Sequence, residues 1–310
     1  MVQHLITLAD WNTKQILDVI EKAKKVKAEP QAYFSSLKGK TLIMLFEKPS
    51  LRTHLSFDIG MYQLGGHAIY YNASTSPLGK GKESISDTIR VMSRYANILM
   101  ARMFSHQSLC EMAKYSTIPI INGLTNFSHP CQILGDLLTI TEKKGKLEGL
   151  KLAYLGDSNN NVTHSLLYGC ANVGMHIAVG CPSDENFCPN LGVFNHCLSI
   201  AKEKGTKVTL HHDAQEAVKD ADVVYTDSWM SYHVPPEEEK KRIETLKPFQ
   251  VNASLMKHAK SDAIFMNCLP AMRGYEQTAE VLDGPQSVIF DEAENRLHIQ
   301  KAIMLTLLGQ

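Results

Sequence analysis

The chain has 310 residues, and its 32 Lys and Arg balance 32 Asp and Glu, so the formal net charge is zero. That balance excludes general adhesion to nucleic acid or to an anionic membrane surface, while leaving room for a local basic pocket. No apolar run reaches membrane-spanning length, no charged and apolar leader opens the chain, and the seven cysteines form no Cys-x-x-Cys pair; the expectation is a soluble, cytoplasmic α/β protein with reduced thiols, long enough for two domains.

In chain order, residues 12–27 carry apolar side chains at 16, 17, 20, 23 and 26, a helical stripe with basic residues toward its C-terminal end. Residues 41–46 (TLIMLF) predict a buried strand bounded by Gly39 and Pro49, and residues 55–64 predict a mostly buried helix. The turn between them, Ser50-Leu51-Arg52-Thr53-His54, stands at a helix N-terminus, where free N–H groups and the helix dipole favour an anion. Two hydroxyls and a guanidinium there suit a phosphate cradle; an ordinary Ser/Thr cap with a solvent-facing Arg accounts for the same residues. A strand at 67–71 is followed by a polar Gly/Pro/Lys loop at 74–84, a candidate lid or subunit contact. Then come a helix at 86–96, a strand at 98–102 ending in Arg102, a helix near 108–115, a strand at 118–122, a loop at 125–132 and a helix at 133–144.

The charged, Gly-punctuated stretch 143–149 reads as a domain boundary, after which the alternation restarts. Strands are expected at 151–155, 176–179, 207–211, 223–226 and 263–266, with helices from about 161 to 173 and at 193–204, 214–221, 237–246 and 292–308. Strands and helices alternating at this spacing predict two successive parallel sheets flanked by helices, an α/β architecture.

Ligands of open α/β sheets sit beyond the carboxyl ends of the strands, so the polar residues just after strands carry the information. In the first half these are Ser50, Arg52, Thr53, Arg102, His129 and Gln132; in the second, residues 157–161, Asp227, Ser231 and Cys268. Cations and donors would stand on one wall of a polar cleft between the domains, with an amide, a carboxylate and a thiol on the other. Each residue also has an ordinary reading: Arg102 as a surface ion-pair partner, His129 and Gln132 as caps, Asn161 as a turn residue, Asp227 as a cap and Cys268 as a structural thiol. The densest metal candidate, His211-His212-Asp213, lacks further ligands at metal spacing and reads as a surface feature. Neither a G-x-G-x-x-G nor a G-x-x-x-x-G-K-[ST] loop is present, which points away from dinucleotides and ATP.

Phe46-Glu-Lys-Pro-Ser50-Leu-Arg52-Thr53, His129-Pro-Cys-Gln132, Asp227-Ser-Trp-Met-Ser231 and Cys268-Leu-Pro270 stand in the order and spacing of the aspartate/ornithine carbamoyltransferases, and the resemblance extends to Glu292-Ala-Glu-Asn-Arg296. It implies a carbamoyl-phosphate-binding domain over 1–146, joined by the last helix (292–310) crossing back, and an ornithine-binding domain over 147–291. It also implies a homotrimer or a multiple of trimers, with no cofactor and no metal. The activity implied is transfer of the carbamoyl group of carbamoyl phosphate to the side-chain amine of L-ornithine, giving citrulline, as in arginine biosynthesis. Position by position, Ser50, Leu51, Arg52, Thr53 and Arg102 would hold the phosphate, and His129 and Gln132 the carbamoyl group. Arg296 would close the site, Cys268 and Leu269 would face the reacting centre, and Asn161, Asp227, Ser231 and Tyr232 would hold ornithine. Arg102, His129, Asp227 and Cys268 would carry the catalysis.

Three positions depart from the family pattern. His54 stands where an Arg is usual, Ser231-Tyr232-His233 where Ser-Met-Gly is usual, and Asn267 where a His precedes the Cys. The second departure leaves another amine, such as putrescine, as an alternative substrate, although Ser231 after Asp227-Ser-Trp-Met favours ornithine. Together they leave open a relative that binds carbamoyl phosphate without catalysis.

Overall fold

The computed structural model describes residues 2–78, 81–230 and 234–310. The chain forms two compact units, Met1–Leu138 with Glu294–Gln310, and Thr139–Ala293.

The first unit opens with α1 (Thr13–Ala28), which starts from a reciprocal cap: the Asn12 side chain accepts from Gln15 N at 3.0 Å, and Gln15 Oε1 accepts from Asn12 N at 2.9 Å. Then follow β1 (Thr41–Phe46), α2 (Leu51–Gln63), β2 (His67–Asn72), α3 (Ile85–Tyr95), β3 (Ile98–Arg102), α4 (His106–Tyr115), β4 (Ile120–Leu124) and α5 (Pro130–Lys144), the last running on into the second unit. The sheet is wholly parallel in the order β2-β1-β3-β4. Its order reverses direction between β1 and β3, and a crevice at the carboxyl ends of those two strands is where such sheets take ligands. Ile43, Leu45, Leu99 and Ala101 pack against Ile89 and Met92 of α3 and Leu109 and Met112 of α4.

The second unit contains β5 (Lys151–Leu155), α6 (Asn161–Asn172), β6 (His176–Gly180), α7 (Leu191–Lys204), β7 (Val208–His211), α8 (Ala214–Val218), β8 (Val223–Thr226), α9 (Glu239–Leu246), α10 (Ala253–Met256), β9 (Ile264–Met266) and α11 (Ala279–Leu282). The closing helix, α12 (Ile289–Leu307), begins in this unit and continues as part of the first. This sheet is also parallel, in the order β7-β6-β5-β8-β9, and it reverses between β5 and β8. Ala153, Leu155, Val224 and Phe265 form its core with Ala217, Val218, Leu255, Val281 and Ile289. No helix among the described residues is long and apolar enough to cross a membrane.

The two parallel sheets agree with the sequence expectation, and the differences are local. β4 starts at Ile120, because Pro119 has no N–H to donate; its carbonyl still accepts from Leu99 N at 3.0 Å. α2 begins four residues earlier than its apolar pattern suggests, and α5 begins at Pro130, a residue preorganised for a first helical position. α8 stops at Val218, short of the expected 221. The four-residue helices α10 and α11 are too short to leave a periodic signal.

Candidate active site

In the first unit Phe46 and Arg102 are partners at the ends of β1 and β3, so the β1–α2 turn and Arg102 share one edge of the sheet. Ser50 caps α2, its Oγ accepting from Thr53 N at 3.2 Å, which leaves the hydroxyl proton to donate elsewhere. Leu51, Arg52 and Thr53 make the first helical turn. The buried Thr53 hydroxyl accepts from two guanidiniums, Arg102 Nη1 and Arg296 Nη2, each at 3.5 Å. Arg296, on α12, also donates from Nη1 to Gln132 Oε1, and Gln132 Nε2 donates to Asp136 Oδ1 at 2.9 Å.

His129 immediately precedes α5 and is buried. Burial holds its pKa well below the usual histidine value, and the positive charges of Arg296, Arg102, Lys48 and Arg52 push it the same way. The imidazole is therefore neutral at ordinary pH. Lys48, with its Nζ 4.7 Å from the Phe104 ring centroid, has a pKa lowered to about 8 by burial, with Arg102 adding to the pull and Glu47 opposing it. Arg52, Arg102, Arg296 and Lys48 thus join a helix N-terminus around one partly dry place. Such an arrangement favours an anion of high charge density.

The second unit repeats the geometry with opposite chemistry. Leu155 and Thr226 are partners at the ends of β5 and β8. Gly156 follows β5 at φ +119°, and a Cβ there would lie 2.9 Å from Trp229 Nε1, so only glycine lets the indole approach. Asp157 pairs with Arg242 Nη2 and accepts from Asn159 N at 3.0 Å. Asn160 caps α6, accepting from Thr163 N at 2.8 Å, and Asn161 is the first residue of that helix. Asp227 follows β8; its Oδ1 accepts from Ser228 N at 2.7 Å and from the Cys268 thiol at 3.1 Å. Leu269, next to that thiol, lies at φ +54°, a left-handed conformation that costs an L-residue about 1–2 kcal/mol. The buried Glu276 has a pKa raised to about 7, first by desolvation and further by the Asp227 charge.

Residues 3–142 match the carbamoyl-P binding domain of aspartate/ornithine carbamoyltransferase, and residues 148–307 match its Asp/Orn binding domain. The chain belongs to the aspartate/ornithine carbamoyltransferase family. It is 48% identical over 310 residues to the ornithine carbamoyltransferase of Pyrococcus horikoshii, covering 98% of this chain and 95% of the relative. Among solved structures it is similar to the ornithine carbamoyltransferase of Pyrococcus furiosus, with 47% identity, TM-score 0.94, and 99% and 97% of the two chains covered. It is similar also to the ornithine transcarbamoylase of Giardia lamblia, with 39% identity, TM-score 0.92, and 100% and 99% covered.

Of the positions that the family motifs single out, Thr53, Arg102, Gln132 and Arg296 form one hydrogen-bonded set, and His129 lies in their field. Asp227 and Cys268 form a second set. Leu51 is 70% exposed, and Ser231 and Tyr232, with His233, lie outside the described residues. The ordinary capping role holds for Ser50, whereas Arg102 is buried rather than a surface partner. His211 and His212 contact Thr209 and the Cys181 carbonyl, and Asp213 caps α8. Sequence reasoning assigned no role to Lys48, Glu276 or Glu292. Lys48 had a signal, standing two residues before Ser50 in the same strand-end turn; Glu276 and Glu292 are brought in only by tertiary packing.

Proposed function

We propose that this chain transfers the carbamoyl group of carbamoyl phosphate to the side-chain amine of L-ornithine, giving L-citrulline and phosphate, by direct attack without a covalent intermediate. The observation that carries this reading is the meeting of the Arg102 and Arg296 guanidiniums on Thr53, in the first turn of a Ser50-capped helix, in a chain of this family. Ser50, Leu51, Arg52, Thr53 and Arg102 hold the phosphate. Neutral His129 donates to the carbamoyl oxygen, where charge builds as the amine attacks, and Gln132 binds the carbamoyl amino group. Arg296 holds Gln132 and Thr53 in place for both contacts. Asp227 attracts the ornithine amine and orients it with Cys268 as its nitrogen bonds to the carbamoyl carbon, the bond from that carbon to the phosphate oxygen breaks, and the proton that the amine gives up leaves on the phosphate; Asn161, Ser231 and Tyr232 bind the rest of ornithine, and Leu269 faces the reacting centre. Positioning and a preorganised field supply most of the acceleration, and the cationic set receives the departing phosphate.

Residues 1–146 with 292–310 serve carbamoyl phosphate in this reading, and 147–291 serve ornithine. The chain assembles as a homotrimer or a multiple of trimers. Leu51, Leu55, Ile59 and Tyr62 support assembly: they are 70%, 45%, 42% and 70% exposed, and their spacing puts them on one face of α2. Light scattering should give three copies or a multiple, and a monomer at micromolar concentration would overturn the assembly. For the activity, product formation is compared for ornithine, putrescine, aspartate and acetylornithine, each with carbamoyl phosphate. Citrulline from ornithine at the highest kcat/KM is expected. Preference for another amine, or carbamoyl phosphate binding without turnover on any of them, would replace the reading.

A further inference from the structure

The loop after β9 carries Cys268 and Leu269, and its shape is set by its first residue. Asn267 is fully buried and makes three contacts, each to a different part of the second unit. Its backbone N–H donates to Glu292 Oε2 at 3.0 Å, its Nδ2 donates to Gln277 Oε1 at 3.0 Å, and its Oδ1 accepts from Leu269 N at 2.8 Å. Gln277, also fully buried, completes the circuit by donating from Nε2 to the Met272 carbonyl at 3.1 Å. The two amides therefore clamp the loop at both ends. Asn267 stands where the family pattern has an ionisable His, and the group it meets is a side chain with one acceptor and one donor, complementary to its own.

We infer that Asn267 and Gln277 act as one coupled positioning pair, holding the 267–272 loop so that the Cys268 thiol rests on Asp227. The inference deepens the ornithine reading and rests on it. Neither amide touches substrate; both act through the loop. A buried amide group whose partner atom is removed is left with a desolvated donor or acceptor, so removing either member disrupts the loop about as much as removing both. Glu292 anchors the same loop from the other side, since its Oε1 accepts from Tyr225 OH at 3.2 Å, two residues before Asp227. The pair thereby sets the register between the tips of β8 and β9, where the carboxylate and the thiol stand.

The test is a double-mutant cycle with Asn267→Ala, Gln277→Ala and the double variant, with Gln277→Met as a shape-preserving variant should alanine prevent folding. Each single change is expected to lower kcat/KM for ornithine at least tenfold, chiefly through KM, and to leave the Kd for carbamoyl phosphate within twofold. The double variant should be within about twofold of the worse single variant. Independently of turnover, the rate at which iodoacetamide labels Cys268, followed by peptide mass spectrometry, should change at least threefold in the same variants and equally in the double variant. Effects that multiply in the double variant, or labelling rates that match the parent, would overturn the pairing. If the parent itself makes no citrulline from ornithine, the substrate reading fails, and the labelling cycle still decides the positioning pair.

Discussion

The two sheets of this chain have the same design and opposite chemistry. Each is parallel, each reverses its order between two central strands, and each places its functional side chains just past the paired ends of those strands: Phe46 opposite Arg102 in one, Leu155 opposite Thr226 in the other. At the first edge stand guanidiniums, an amine and a helix N-terminus; at the second stand a carboxylate and a thiol. The backbone topology fixes where a ligand is met, and the residues at the strand ends decide its charge. Under the proposed function, changes in the first set should act on carbamoyl phosphate, and changes in the second on the amine.

The largest test of that rule is Arg102→Ala. Removing a buried guanidinium proposed to hold the phosphate should weaken carbamoyl phosphate binding by about 2–5 kcal/mol, whereas Arg273→Ala, which breaks an exposed pair with Asp283, should leave it unchanged. Titration calorimetry with carbamoyl phosphate distinguishes the two, and equal effects would remove the phosphate assignment. In the second set, Asp227→Asn should lower kcat/KM for ornithine by about 1.5–3 kcal/mol in transition-state terms while sparing carbamoyl phosphate affinity. Cys268→Ser keeps a donor to Asp227 and should lose less. A loss of carbamoyl phosphate affinity in Asp227→Asn would break the division of labour.

How much of this could be read from the residues depends on the kind of interaction. β1, β3, β5 and β8 were legible because strands buried on both faces are written as short continuous apolar runs, and polar residues after those runs are conspicuous. Arg102, His129 and Asp227 were found that way. The helix start at Leu51 was legible from its Ser50 cap rather than from an apolar period, and the start at Pro130 was less visible, since a polar first turn has no such period to announce it. Glu276 and Gln277 were not legible at all, and Glu292 was named only as the start of a family motif, without a role. They reach the second site from an irregular loop and from a distant helix, and no local pattern encodes which buried amide meets which. The resemblance to the family supplied the positions proposed to contact the substrates, but not the pairing that Asn267 makes.

The two edges should also respond to pH in opposite directions. His129 has its folded pKa held low, so the stability it allows is present above about pH 6.5, the unfolded value, and is lost as the pH falls toward the folded value, because the unfolded chain takes up a proton that the folded chain refuses. Glu276 has its folded pKa raised to about 7, so its contribution is present below the unfolded carboxyl value and is lost as the pH rises through 7. Thermal unfolding of the parent, His129→Gln and Glu276→Gln across pH 5–8.5 checks both signs. The first variant should lose less stability in acid than the parent. The second should gain on the parent above pH 7, by on the order of 1–3 kcal/mol. A Glu276→Gln chain that is less stable than the parent at pH 8 would contradict the buried carboxyl's assignment.

The smallest expected effect belongs to the residue that departs from the family pattern within the cradle itself. His54 lies in α2 one residue beyond Thr53, yet its ring does not share that residue's direction. It sits 4.7 Å from the Tyr70 ring and 5.8 Å from the Phe46 ring, centroid to centroid, with Nε2 3.8 Å from Asp58 Oδ2 and about a third of its side chain exposed. An Arg placed there finds a nearby carboxylate and an aromatic face, both beside solvent, where ion pairs are worth at most about 1 kcal/mol. His54→Arg should therefore tighten carbamoyl phosphate binding less than about fivefold, and that small gain should disappear at high salt, because only a screened, long-range charge is added. A tenfold gain that survives 0.5 M salt would mean that position 54 reaches the anion directly, and the first-unit set would then have to be redrawn to include it.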